Sequence, residues 1–106
     1  MEKNRHMKFV YEYKLKEYME QTGKKNIVVE VVTINHSEVE ISELHVHFVD
    51  ERQTDIFKKK YRYRGVQTEM GEVLLPHYKL NYDEEVVFGL KKFLCFRTIS
   101  YKGITQ

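Results

Sequence analysis

The chain has 106 residues, 42% of them hydrophobic, with 8 Tyr and 6 Phe, which suffices for one ordinary domain and its core but not for two. Eighteen basic and sixteen acidic side chains leave a net charge of +2, a near balance that argues against nucleic-acid binding through bulk charge. Its one cysteine, Cys95, excludes an intrachain disulfide and any site needing two thiolates from one chain, and fits a reducing, cytoplasmic setting.

The opening residues Met1 to His6 are polar and lead into no long apolar run, so no signal peptide is expected and residues 1–8 are read as a flexible start. No apolar stretch approaches the ~20 residues that span a bilayer, so no membrane partner is expected. The remainder, residues 9–104, reads as a single domain without repeats or linkers.

From Val10 to Gln21 the residues Tyr11, Leu15, Tyr18 and Met19 recur at helical spacing, which predicts one amphipathic helix stopped at Gly23. Asn26 to Ile34 is rich in Val and Ile and nearly uncharged, the profile of a strand covered on both faces. After a turn at Asn35-His36-Ser37, Ile41 to Val49 alternates cleanly. Leu44, Val46 and Phe48 face a core, and Glu43, His45 and His47 face away from it.

Asp50 to Lys60 is charged and accommodates a short helix anchored by Ile56 and Phe57. Tyr61 to Glu69 reads as a strand broken at Gly65, and Val73-Leu74-Leu75 as a short strand ended by Pro76. Asn81 to Glu84 reads as a turn. Val86, Phe88 and Leu90 alternate in a further strand, and Arg97 to Tyr101 forms the last, closing at Gly103. The fold class expected is α+β: an N-terminal helix followed by a mostly antiparallel β structure of five to six strands.

Three stretches carry a family resemblance. They are the opening helix ending at Gly23 with the Val-rich strand from Asn26; Gly71-Glu72-Val73-Leu74; and Leu90-Lys91-Lys92-Phe93-Leu94-Cys95-Phe96 running to Lys102-Gly103-Ile104. Together they resemble the HesB-like domains, which include the A-type iron–sulfur carriers, and are most similar to the small subgroup named for a Cys-Cys or Cys-selenocysteine motif. The resemblance implies a compact, mostly antiparallel fold, often a homodimer. It carries over no catalytic or ligand residue. The redox pair of that subgroup would fall at Thr33-Ile34-Asn35-His36-Ser37, which has no cysteine, and the Cys-Gly-Cys-type tail of the carriers is replaced by Gly103-Ile104-Thr105-Gln106. Clusters are held by thiolates, so no cofactor is expected.

Three local patterns bear on chemistry. Glu43-x-His45-x-His47 projects from one strand face, where two imidazoles approach one metal ion, with His36 as a third ligand and His77 as a more distant one. A polar strand face on which histidine is unremarkable explains the same residues. Lys58, Lys59, Lys60, Arg62 and Arg64 surround Tyr61 and Tyr63, the mixture that single-strand nucleic-acid binders use. Alternation would put Lys60, Arg62 and Arg64 on one face and both tyrosines on the other, leaving a solvated basic edge. Cys95 sits among Phe93, Leu94 and Phe96 and reads as a small buried hydrophobe. A Cys95–His77 dyad is conceivable only if that thiol is exposed. No Gly-rich phosphate loop, G-x-S-x-G elbow or H-E-x-x-H occurs. The functional expectation is a non-enzymatic binding or scaffold module with an unknown protein partner. Metal binding at His45 and His47 and nucleic-acid or anion binding through Lys58 to Arg64 are the alternatives.

Overall fold

The computed structural model describes residues 7–106. Among them are two helices and seven strands, arranged as an α+β chain with two mixed sheets. The expected flexible start lies outside the described residues for positions 1–6, and Lys8 already opens a strand. The chain divides into two compact units, residues 26–78 and the two flanking segments 1–25 and 79–106.

The unit made of the flanking segments contains strand β1 (Lys8–Tyr11), helix α1 (Tyr13–Thr22) and the two last strands, here β6 (Asn81–Phe93) and β7 (Phe96–Thr105). Its sheet runs β1-β6-β7, with β1 parallel to β6 and β6 antiparallel to β7. A strand thus precedes the helix, which corrects the expected order. Tyr11, assigned to the helix on its spacing from Leu15, belongs to β1, where it pairs with Phe88. Phe9 stacks on the Phe88 ring at 5.8 Å and Tyr11 meets it edge-on at 5.7 Å. Such aromatic pairs contribute about 0.5–1.5 kcal/mol beyond the area they bury. Leu15 and Met19, four residues apart, supply the buried stripe of α1. Gly23 closes the helix as expected, left-handed at φ 78, with its N–H donating to the Met19 carbonyl at 2.9 Å.

β6 is longer than the expected strand. Asn81 to Glu84, read as a turn, belongs to it, and the register slips between Tyr82 and Val87. That bulge lets the carboxylates of Asp83, Glu84 and Glu85 stay in solvent while Val86 and Phe88 are fully buried.

The second unit contains β2 (Asn26–His36), β3 (Val39–Val49), α2 (Glu51–Lys59), β4 (Arg64–Gln67) and β5 (Glu72–Leu75). Its sheet order is β3-β2-β5-β4. Ile27, Val28 and Val29 are completely buried, so the start of β2 is covered on both faces, as the run of β-branched residues implies. β5 is buried throughout Val73-Leu74-Leu75 and stops before Pro76. Phe57 and Tyr63 pack over Val28, Val49 and Leu74. The α2 anchors are Thr54 and Phe57; Ile56, expected in that role, is 41% exposed. The helix starts at Asp50 through a reciprocal capping box with Gln53. Among the described residues no helix is long and apolar enough to cross a membrane.

Candidate functional site

The histidine row comes from the β2–β3 hairpin. Its antiparallel register sets Glu30 opposite His45, Val28 opposite His47 and Val32 opposite Glu43, so Glu30, Glu43, His45 and His47 share one face, as alternation predicts. On that face the histidines separate into two pairs. His45 Nε2 lies 3.0 Å from Glu43 Oε1, and His47 Nε2 lies 2.8 Å from Glu30 Oε1. The other nitrogen of His47 faces the Phe48 carbonyl at 3.2 Å. Each His47 nitrogen thus faces an oxygen of this chain, and the neutral ring can donate to only one of the two. Among the described residues, no group of three or more His, Cys, Asp or Glu is placed to hold a metal ion. The His36 side chain lies outside what is described, and His77 sits beyond β5 rather than on this face. Glu30 is the member of this row that strand-local reasoning missed, because it arrives from the neighbouring strand.

The basic stretch does not form the expected alternating strand face. Lys58 and Lys59 lie in α2, within the helix expected over Asp50 to Lys60, and it is the strand expected from Tyr61 onward that does not form before Arg64. Lys60 caps it, and the chain unwinds through Arg62, which takes a left-handed φ of 65. Only Arg64 reaches a strand. Lys58 Nζ pairs with Glu72 Oε2 at 2.8 Å, and Lys60 Nζ stands 5.5 Å above the Tyr61 ring. The two tyrosines also part company. Tyr61 is half exposed, while Tyr63 packs against Phe57 with ring centres 4.9 Å apart. The Tyr63 hydroxyl accepts the Val31 N–H at 3.4 Å. Burial raises the pKa of this phenol above its ordinary value, the Val31 hydrogen bond opposes that rise, and the Glu30 charge adds to it. Tyr61 and Tyr63, with Val31, Pro76, His77 and Tyr78, line an open cleft of about 330 Å³.

The third surface is the end of the β6–β7 hairpin, where the expected burial of Cys95 is overturned. β1 accompanies β6 only as far as Phe88. Beyond it β6 and β7 continue alone, pairing Lys91 with Thr98, Lys92 with Arg97 and Phe93 with Phe96. Leu94 and Cys95 form the two-residue turn. Every residue from Lys91 to Thr98 is exposed, on both faces of the ribbon. Phe93 is 66% exposed, Leu94 75% and Phe96 63%, and the Cys95 thiol is free and exposed beside them. Alternation extends the strands outward, but no layer covers them there. Leu94 holds φ 57, a left-handed conformation that glycine or asparagine adopts far more readily.

Comparison with protein families, curated proteins and solved structures finds no match to this chain. The HesB-like resemblance therefore stands on the sequence motifs alone.

Proposed function

We propose that this chain is a small non-enzymatic binding module of the cytoplasm, on a HesB-like scaffold without cluster cysteines, and that its contact element is the β6–β7 arm. One observation carries the reading: eight consecutive exposed residues, Lys91 to Thr98, with four apolar side chains at their centre. A two-stranded ribbon is marginally stable alone in water, and one tipped with large apolar groups exposes surface that an isolated chain normally hides. The turn compounds this, because Leu94 combines an unfavourable backbone with an unburied side chain. Burial of the tip against something outside the chain resolves the exposure.

Cys95 supplies the test, since it is the only thiol. A small environment-sensitive fluorophore attached there reports burial of the arm. The label is expected to shift to the blue with the lipid, protein or nucleic-acid fraction of a cell extract, and to lose that shift in a Phe93→Ser/Phe96→Ser variant. Unchanged emission with all three fractions overturns the reading.

A further inference from the structure

We infer that the β6–β7 arm docks on the surface of an anionic lipid bilayer, with Phe93, Leu94 and Phe96 entering the interface and Lys91, Lys92 and Arg97 meeting the lipid phosphates. The inference rests on the arm being the contact element and adds the chemistry of its partner. The expectation of no membrane partner came from span length, which bears on crossing and not on surface contact.

Charge is the first support. From Val86 to the last residue, Gln106, the chain carries four cations, Lys91, Lys92, Arg97 and Lys102, and no Asp or Glu. The register places three of them as a collar: Lys92 and Arg97 lie opposite one another one residue behind the Phe93–Phe96 pair, and Lys91 lies two residues behind. At roughly 3.3 Å per residue the collar sits ~3–7 Å behind the leading pair. Interfacial elements bury their apolar faces ~5–10 Å deep, so cations at that offset reach the headgroup phosphates while the rings pass below them.

Shape is the second support. The tip is exposed on both faces: the paired Phe93 and Phe96 project from one, the paired Lys92 and Arg97 from the other, and Leu94 and Cys95 close the end. A groove on a protein covers one side of a ribbon, whereas a fluid interface takes up the ring pair and its phosphates meet the cations of the other face at the same time. Two other occupants fit less well. Tip-to-tip pairing of two copies brings two cationic collars together. A nucleic acid satisfies the collar but sets four leading apolar side chains against phosphates and water.

Sedimentation with vesicles, in reductant to keep Cys95 from cross-linking, tests this. The protein is expected to bind phosphatidylcholine vesicles containing phosphatidylglycerol and to bind pure phosphatidylcholine far more weakly, with affinity falling as salt rises. Reversing the collar by Lys91→Glu/Lys92→Glu/Arg97→Glu is expected to weaken binding by at least about 100-fold, from three cations at the surface. Phe93→Ser/Phe96→Ser is expected to weaken it by about tenfold or more, with circular dichroism and melting confirming that both variants fold. Equal binding to neutral and anionic vesicles, or no binding to either, overturns the inference. Sedimentation velocity and duplex-DNA titration complete the test. A dimer or a DNA complex abolished by Phe93→Ser/Phe96→Ser, without vesicle binding, reassigns the arm to that partner and leaves the binding-module reading standing. An unresponsive Cys95 label removes both.

Discussion

Replacing Leu94 with glycine should stabilise the isolated protein. At φ 57 the leucine backbone is left-handed, which costs an L-residue roughly 1–2 kcal/mol and costs glycine almost nothing. Glycine loses more freedom on folding, an opposing term of about 0.5–1 kcal/mol. The lost side chain contributes little to the balance, because Leu94 is 75% exposed and Leu94 to Phe96 lie beyond any covering layer. The net expectation is a gain of about 0.5–1 kcal/mol, the difference between those two terms. In a chain of this size that raises the melting temperature by several degrees. Urea unfolding followed by far-ultraviolet circular dichroism reads the change directly, provided the denaturant slope stays constant. A loss of more than about 1 kcal/mol would mean that the leucine side chain is packed in the free protein, and the exposed-tip reasoning would fall with it. The same variant should bind anionic vesicles less tightly, so stability and binding move in opposite directions.

Gly103→Ala should cost about 2–4 kcal/mol in urea unfolding, since its φ is 94 and an added Cβ would lie 2.6 Å from the Glu85 carbonyl oxygen, a backbone atom that cannot swing aside. Gly89→Ala should cost only about 1 kcal/mol, because its new Cβ meets the side-chain ends of Glu12 and Ser100, which can rotate; equal losses would refute the distinction. Asp50→Ala removes the side-chain half of the α2 capping box and should destabilise by about 1 kcal/mol, with no loss measured if the cap is idle. For Tyr63 the raised phenol pKa means the folded state holds its proton more tightly than the unfolded chain, so its contribution is complete below the ordinary value near 10 and is lost as pH rises through the raised one. Wild-type stability should therefore fall more steeply than that of Tyr63→Phe in alkaline urea titrations, and parallel curves would contradict the assignment.

The residues of the arm were conspicuous in the sequence, but their environment was not. Phe93-Leu94-Cys95-Phe96 has the composition of a core segment, and the turn at Leu94-Cys95 lacks the glycine or asparagine that announces a tight hairpin. Periodicity shows which side chains share a face; it cannot show whether anything lies over that face. The same limit applies to β3, whose alternation is correct yet whose Leu44 and Phe48 are only half buried. Tyr11 went to the helix because its partner in β1, Phe88, lies 77 positions further along the chain, beyond any local window. Lys58 and Lys59 lie in the helix expected over Asp50 to Lys60, and period-two reasoning failed only beyond it, where the chain unwinds through Arg62 before the strand opens at Arg64. Local signals succeeded where the deciding atoms are themselves local, as at Gly23 and Pro76.

The length of β6 gives the hairpin an electrical direction. Asp83, Glu84 and Glu85 stand near one end and Lys91 and Lys92 near the other. The separation from Glu84 to Lys92 is about 25 Å at the usual rise of a strand, some three times the screening distance in physiological salt. Neither end masks the other. Near a negatively charged boundary the cationic tip of the ribbon is attracted, whereas the acidic end, which Lys8 of β1 faces at Glu85, gains little. The spacing of charges along a single strand thereby favours approach by the hairpin tip.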